Sequence, residues 1–158
     1  MATKIRLARH GKKGKPVFHI VIADSRSPRD GRFIKKIGVY NPTSNPATID
    51  INFNEALAWL EKGAQPSETC RAILSYKGVL YKSHLNRGVK KGALTQEQAD
   101  AKFDKWLADK ESKIESKKSK LAGDRKSQEK ARLDAELKVR AAKEQARAAA
   151  AIAAEAPA

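Results

Sequence analysis

The chain has 158 residues, with 33 Lys and Arg against 18 Asp and Glu, a formal net charge of +15 and one cysteine. That length fits one domain, with or without an appendage; the lone Cys70 excludes an internal disulfide and argues against a zinc site, and no apolar run is long enough to span a bilayer. Such a positive excess repels itself when compact and attracts polyanions, so nucleic acid or an anionic membrane surface is the natural partner class.

"MATKIRLARHGKKG" lacks the apolar stretch of a secretory signal, and "KIRLAR" alternates with period two instead of forming the helical amphipath of an Arg-rich transit peptide, so mature protein is expected, and the lone cysteine fits a reducing, cytosolic setting. Ile5 and Leu7 alternate with Lys4, Arg6 and Arg9 as a half-buried strand with a basic outer face. "GKKGKP" is a turn too charged to bury, and "VFHIVIA" reads as a central strand. The loop "DSRSPRDGR" follows, then a third strand over "RFIKKIGVY" and a short fourth over "ATIDI".

Asn52 with Glu55 forms a capping box, and Phe53, Leu57, Leu60 and Ala64 recur at helical spacing before Gly63 stops the helix. Pro66-Ser67 opens a second helix with Cys70, Ile73 and Leu74 on one face. This order predicts an α+β fold: a small, mostly antiparallel sheet with two helices on one face. Residues 1–76 are read as the compact domain. Gly78, Gly88 and Gly92 among basic side chains suggest a loop or short hairpin over "KGVLYKSHLNRGVKKGAL". Thr95 with Gln98 caps a third helix carrying Ala99, Phe103, Trp106 and Leu107, so that 77–110 reads as basic loop plus helix. Residues 111–158 are rich in Ala, Lys and Glu, with no heptad register. They predict a helical or disordered tail, supported by Asp134–Lys138 and Glu136–Arg140 pairs and interrupted at Gly123-Asp124.

The charge is concentrated early. Residues 1–48 hold eleven basic side chains and only Asp24 and Asp30 as acids. Arg26, Arg29 and Arg32 exceed what a turn built on Pro28 and Asp30-Gly31 requires. Guanidinium forks match phosphate oxygens and lysines act as point charges, while Gly11, Gly14 and Gly31 permit close backbone approach. Basic residues on strands and loops, without an amphipathic basic helix, argue against a membrane surface. The absence of a major-groove reading helix argues against helix-turn-helix DNA binding. Folded RNA read by shape and phosphate position fits best.

"IRLARHGKKGKPVFHIVIADSRSPRDGRFIKKIGVYNP" closely resembles the signature region of the bacterial small ribosomal subunit protein S-sixteen family, and the likeness continues through "INFNEALAWLEKGAQPSETCRAIL". The resemblance implies a small α+β protein that binds small-subunit ribosomal RNA, neighbours other small-subunit proteins and supports assembly in the bacterial cytoplasm. It implies no catalysis, metal, cofactor or small-molecule substrate, no membrane partner and no homo-oligomer. The RNA-facing pattern it carries falls on Arg6, Arg9, Gly11, Lys13, Lys15, Arg26, Arg29, Gly31, Arg32, Tyr40 and Asn41. To these the chemistry of the residues adds His10, Lys12, Ser25, Lys35 and Lys36. Lys35 departs from the family's usual acidic residue, which adds charge and removes an expected internal ion pair. The chain also runs some 70 to 80 residues past the family's compact domain.

Plainer readings stand beside these. Asp30 and Asp24 suit turn-forming or arginine-pairing better than a metal-dependent nuclease. His10, His19 and His84 lack ligand spacing, and Ser25 near His10 suits a phosphate donor better than a triad nucleophile. Phe53, Trp59 and Trp106 read as core, Cys70 as a small buried hydrophobe. A DNA-compacting role would rest on the Ala/Lys-rich tail alone.

Overall fold

The computed structural model describes residues 2–155. Strands β1 (Thr3–Lys12) and β2 (Lys15–Asp24) pair antiparallel from Thr3↔Asp24 to Lys12↔Lys15. β3 (Lys35–Asn41) and β4 (Thr48–Ile51) extend the sheet on the β2 side. A two-residue β5 (Gln65–Pro66) runs parallel to β1, giving the order β4-β3-β2-β1-β5. Paired residues project to one face and their neighbours to the other. The register therefore puts Ile5, Ile22, Leu7 and Ile20 on an inner face and Arg6, Val21, Ala8, His19, His10 and Val17 on an outer one.

The inner face carries the core. Ile5, Ile20 and Ile22 pack with Ala56 of α1 (Phe53–Glu61) and with Cys70 and Leu74 of α2 (Glu68–Tyr76), all fully buried. The β2–β3 register shifts between Ile20 and Val21, and the extra residue, Ile37, is buried in the same cluster. Asn52 Oδ1 accepts from the Glu55 N–H at 3.3 Å, the expected N-cap, and α2 starts directly after Pro66-Ser67.

Three expectations change. Residues 79–90, expected as loop or hairpin, form helix α3 (Val79–Lys90), with Val79 and Leu85 buried. The glycines disguised its apolar spacing: Gly78 and Gly92 bound the helix at φ 85° and 74°, but Gly88 sits inside it beside Leu94. The third strand starts at Lys35, leaving Phe33 and Ile34 exposed at the end of the preceding loop. Finally, α4 (Gln96–Glu155) runs through Gly123-Asp124 without a break. One glycine costs a helix only about 1 kcal/mol, too little to stop a run of strong helix formers.

The chain divides into two compact units, 1–110 and 111–158. In the first, Phe53, Tyr81, Phe103 and Trp106 form a ring cluster with centroids 5.7–6.4 Å apart, and Lys82 pairs with Asp100. In the second, among the described residues, the ion pairs are Arg132–Glu136 and Arg140–Glu144, and the two anticipated are not formed. No helix among the described residues is long and apolar enough to cross a membrane.

Candidate nucleic-acid interface

The arginine loop, residues 25–34, folds back over the sheet. It leaves the end of β2 with the Ser25 N–H donating to the Ala2 carbonyl, and Asp24 Oδ1 accepts from the Arg26 N–H at 2.9 Å. Its middle crosses β1: the Arg6 guanidinium donates to the Pro28 carbonyl at 2.7 Å, and Asp30 Oδ1 accepts from the Arg9 N–H at 2.6 Å. The Gly31 N–H donates to the Pro28 carbonyl, closing the turn, and the Ile34 N–H returns to the Ile22 carbonyl at 2.7 Å. Outer-face Ala8, Val21 and Ala23 are buried. The loop is a strap over the outer face.

This path divides the arginines. Arg6 is tied to the strap, with its Nε shielded from solvent and unpartnered among the described residues. Arg29 Nη2 lies 2.6 Å from Asp30 Oδ2. That guanidinium, with the Arg9 N–H second, holds the Asp30 carboxyl below the usual carboxylate range, and Asp30 in turn raises Arg29. Arg26 and Arg32 are exposed, with no carboxylate partner among the described residues. Ser25 is exposed beside them.

The β1–β2 hairpin supplies a second group. Lys12, Lys13 and Lys15 stand exposed at its tip. Gly11 shapes the turn (φ 95°), where a Cβ would come within 2.5 Å of the Lys15 carbonyl. His10 and His19 stack on the outer face with centroids 3.9 Å apart. Partial burial, then His10 and Lys36, lower the His19 pKa below its ordinary 6.5, so the stack is favoured with His19 neutral. Lys36 is the β3 contribution to this face. Lys36 is exposed and stands opposite Val21 in the ladder.

The remaining candidates lie elsewhere. Lys35 donates to Glu55 Oε1 at 2.8 Å, so an ion pair does form at the position where one was expected to be lost. Arg9 and Tyr40 share the inner face of the sheet toward the hairpin tip, with Tyr40 6.1 Å from Phe18. Asn41 Oδ1 accepts from the Thr43 N–H, shaping the turn out of β3. His19 belongs with the site by register, since it pairs with Ala8; its two-residue spacing from Val17 and Val21, which puts it on their face, was the sequence signal. Asp24 and Asp30, the acids of the nuclease alternative, both serve as acceptors within the strap.

Comparison with known proteins matches residues 9–67 to the family model described as Ribosomal protein S16. The chain is 60% identical over 122 residues to the small ribosomal subunit protein bS16 of Flavobacterium johnsoniae, covering 77% of this chain and 65% of that protein. It is 52% identical to the bS16 of Porphyromonas gingivalis, over 92% of this chain and 76% of that one, and 49% identical to that of Cytophaga hutchinsonii, over 94% and 85%. The chain thus spans just under two thirds of the F. johnsoniae protein. The two broader alignments necessarily run into residues 111–158, so the extension is shared with those relatives.

Proposed function

The chain belongs to the S16 family of ribosomal proteins, which are structural and not enzymatic, and from that premise we propose that it is a constituent of the bacterial small ribosomal subunit that binds small-subunit rRNA. The observation that carries the reading is that seven of the candidate cations are exposed with no carboxylate partner among the described residues: Arg9, Lys12, Lys13, Lys15, Arg26, Arg32 and Lys36. Six of them extend from the hairpin tip over the outer face to the strap, and Arg9 stands on the inner face toward the tip. Arg6, Gly11, Arg29, Gly31 and Lys35 serve this surface chiefly by building it, since each has an internal contact. Neutralising phosphates of converging RNA helices would release counterions and hold a junction in the form later assembly steps need. The place of action is the ribosome in the cytoplasm, beside other small-subunit proteins.

Binding of the purified chain to naked small-subunit rRNA tests this. Affinity should fall with salt, exceed that for random duplex of the same length, and win in competition against genomic DNA. Equal affinity for random duplex would overturn rRNA recognition, and a preference for genomic DNA would favour a DNA-compacting role. In a cell lysate, the full-length chain should sediment with the small subunit.

A further inference from the structure

An open groove of about 580 Å³ lies on the helical side of the sheet, bounded by the end of α1, β5, α2 and α3. Its floor is aliphatic: Leu60 and Leu80, both half-buried against the core, with Pro66. Arg71 from α2 and Arg87 from α3 stand exposed on its rim, with no carboxylate partner among the described residues. Opposite in sign, Glu61 also lines the groove, accepting from Asn86 Nδ2 at 3.2 Å and lying 3.7 Å from Lys90 Nζ.

We propose that this groove docks an extended protein segment bearing an aliphatic side chain flanked by carboxylates. The aliphatic residue covers Leu60, Leu80 and Pro66, while the carboxylates reach the guanidiniums of Arg71 and Arg87, whose forks take carboxylates bidentately. The groove's chemistry separates this occupant from RNA. Bases stack on aromatic rings, and this floor has none. A phosphate chain laid along the rim would also have to pass the Glu61 carboxylate, whereas a peptide has N–H donors to offer it. Because the helices cover the inner face and the seven candidate RNA-binding cations lie mainly on the outer face, hairpin tip and strap, protein and RNA can be held at once. The groove thus goes beyond the rRNA reading, and of its lining residues only Leu60, Glu61, Gln65 and Pro66 lie within the residues 9–67 that the family model matches.

Site-specific photo-cross-linking in the bacterium's own cells tests the proposal. One full-length variant carries a benzophenone amino acid in place of Ser83, which lines the groove; a second carries it in place of Lys12 at the hairpin tip. After small subunits are isolated, the Ser83 position should give adducts to a protein segment that mass spectrometry shows to be acidic with an aliphatic centre. Arg71→Glu with Arg87→Glu should lower that yield about tenfold, as expected when charged rim contacts are reversed. The same double variant should leave the far-ultraviolet circular dichroism and naked-rRNA affinity unchanged. RNA adducts at Ser83, no adducts there, adducts to a basic segment, or insensitivity to the charge reversal would each overturn the docking proposal. Failure of the Lys12 position to label RNA, or of the chain to enter subunits, would instead count against the rRNA reading.

Discussion

Asp30 connects the strap to the sheet at a place where the ladder is incomplete. β5 pairs only with Lys4 and Ile5, so the N–H of Arg9 lies on an edge with no strand beside it. The Asp30 carboxylate takes that donor and holds Arg29 with its other oxygen. A carboxyl whose folded pKa is depressed supports the fold above its unfolded pKa, and the support is lost as pH falls through the lower, folded value. The strap should therefore stay closed through neutral pH and loosen only below the ordinary carboxylate value of 3.8. The Arg9 amide resonance reports this directly: it should move toward its free position in acid, and Asp30→Ala should place it there at pH 7. An unchanged Arg9 shift in that variant would show that the bond does not hold the strap. Sequence alone identified Asp30 as a turn former or arginine partner. It did not identify the Arg9 N–H as second donor, because that contact spans 21 residues and depends on the strap's path. For the same reason the Arg26–Arg29–Arg32 cluster looked uniform, whereas folding places Arg29 in an ion pair and leaves the other two exposed.

At the level of elements, four of the five strands and the first two helices were legible because each announces itself locally: period-two strands, a capping Asn52, a Pro-Ser start; the two-residue β5 has no such local signal. The α2–α3–α4 junction was not, since its governing contact joins distant residues. Gly78, at φ 85°, lets the chain turn from α2 into α3, and a Cβ there would come within 2.5 Å of the Trp106 ring. Gly78→Ala should lower the unfolding free energy measured in urea by about 2 kcal/mol or more, combining left-handed backbone strain with displacement of the indole. Trp106 fluorescence should change in the same variant. Gly123 presents the opposite case, since nothing lies within 4 Å of its would-be Cβ. Because α4 is continuous there, Gly123→Ala should strengthen it by about 1 kcal/mol, seen as more ellipticity at 222 nm on mild heating. No gain would mean that the helix is interrupted at 123, as its sequence first suggested.

For the whole molecule, charge and core are unevenly shared. Among the described residues, the buried core cluster runs from Ile5 to Val79, with Leu80 packed against it. Residues 1–110 hold 21 of the 33 basic and 10 of the 18 acidic side chains, a net +11, against +4 for residues 111–158. A chain ending at Lys110 should therefore keep its melting temperature within about 3 °C, under 1 kcal/mol for a domain of this size. The salt dependence of rRNA binding then counts how many of the cations work. Each neutralised phosphate contributes roughly 0.7–0.9 to the slope of log affinity against log salt, so seven unpaired cations predict a slope between about −5 and −6. Replacing Lys12, Lys13 and Lys15 with alanine should make it shallower by about 2 to 3. The chain ending at Lys110 should stay within about 1 of the full-length slope, because the acidic residues of 111–158 offset most of its lysines and arginines. A slope near −1 for the intact chain would mean that phosphates are not the target of this surface. A steep slope that collapses on truncation would assign the phosphate contacts to the extension instead of the strand face.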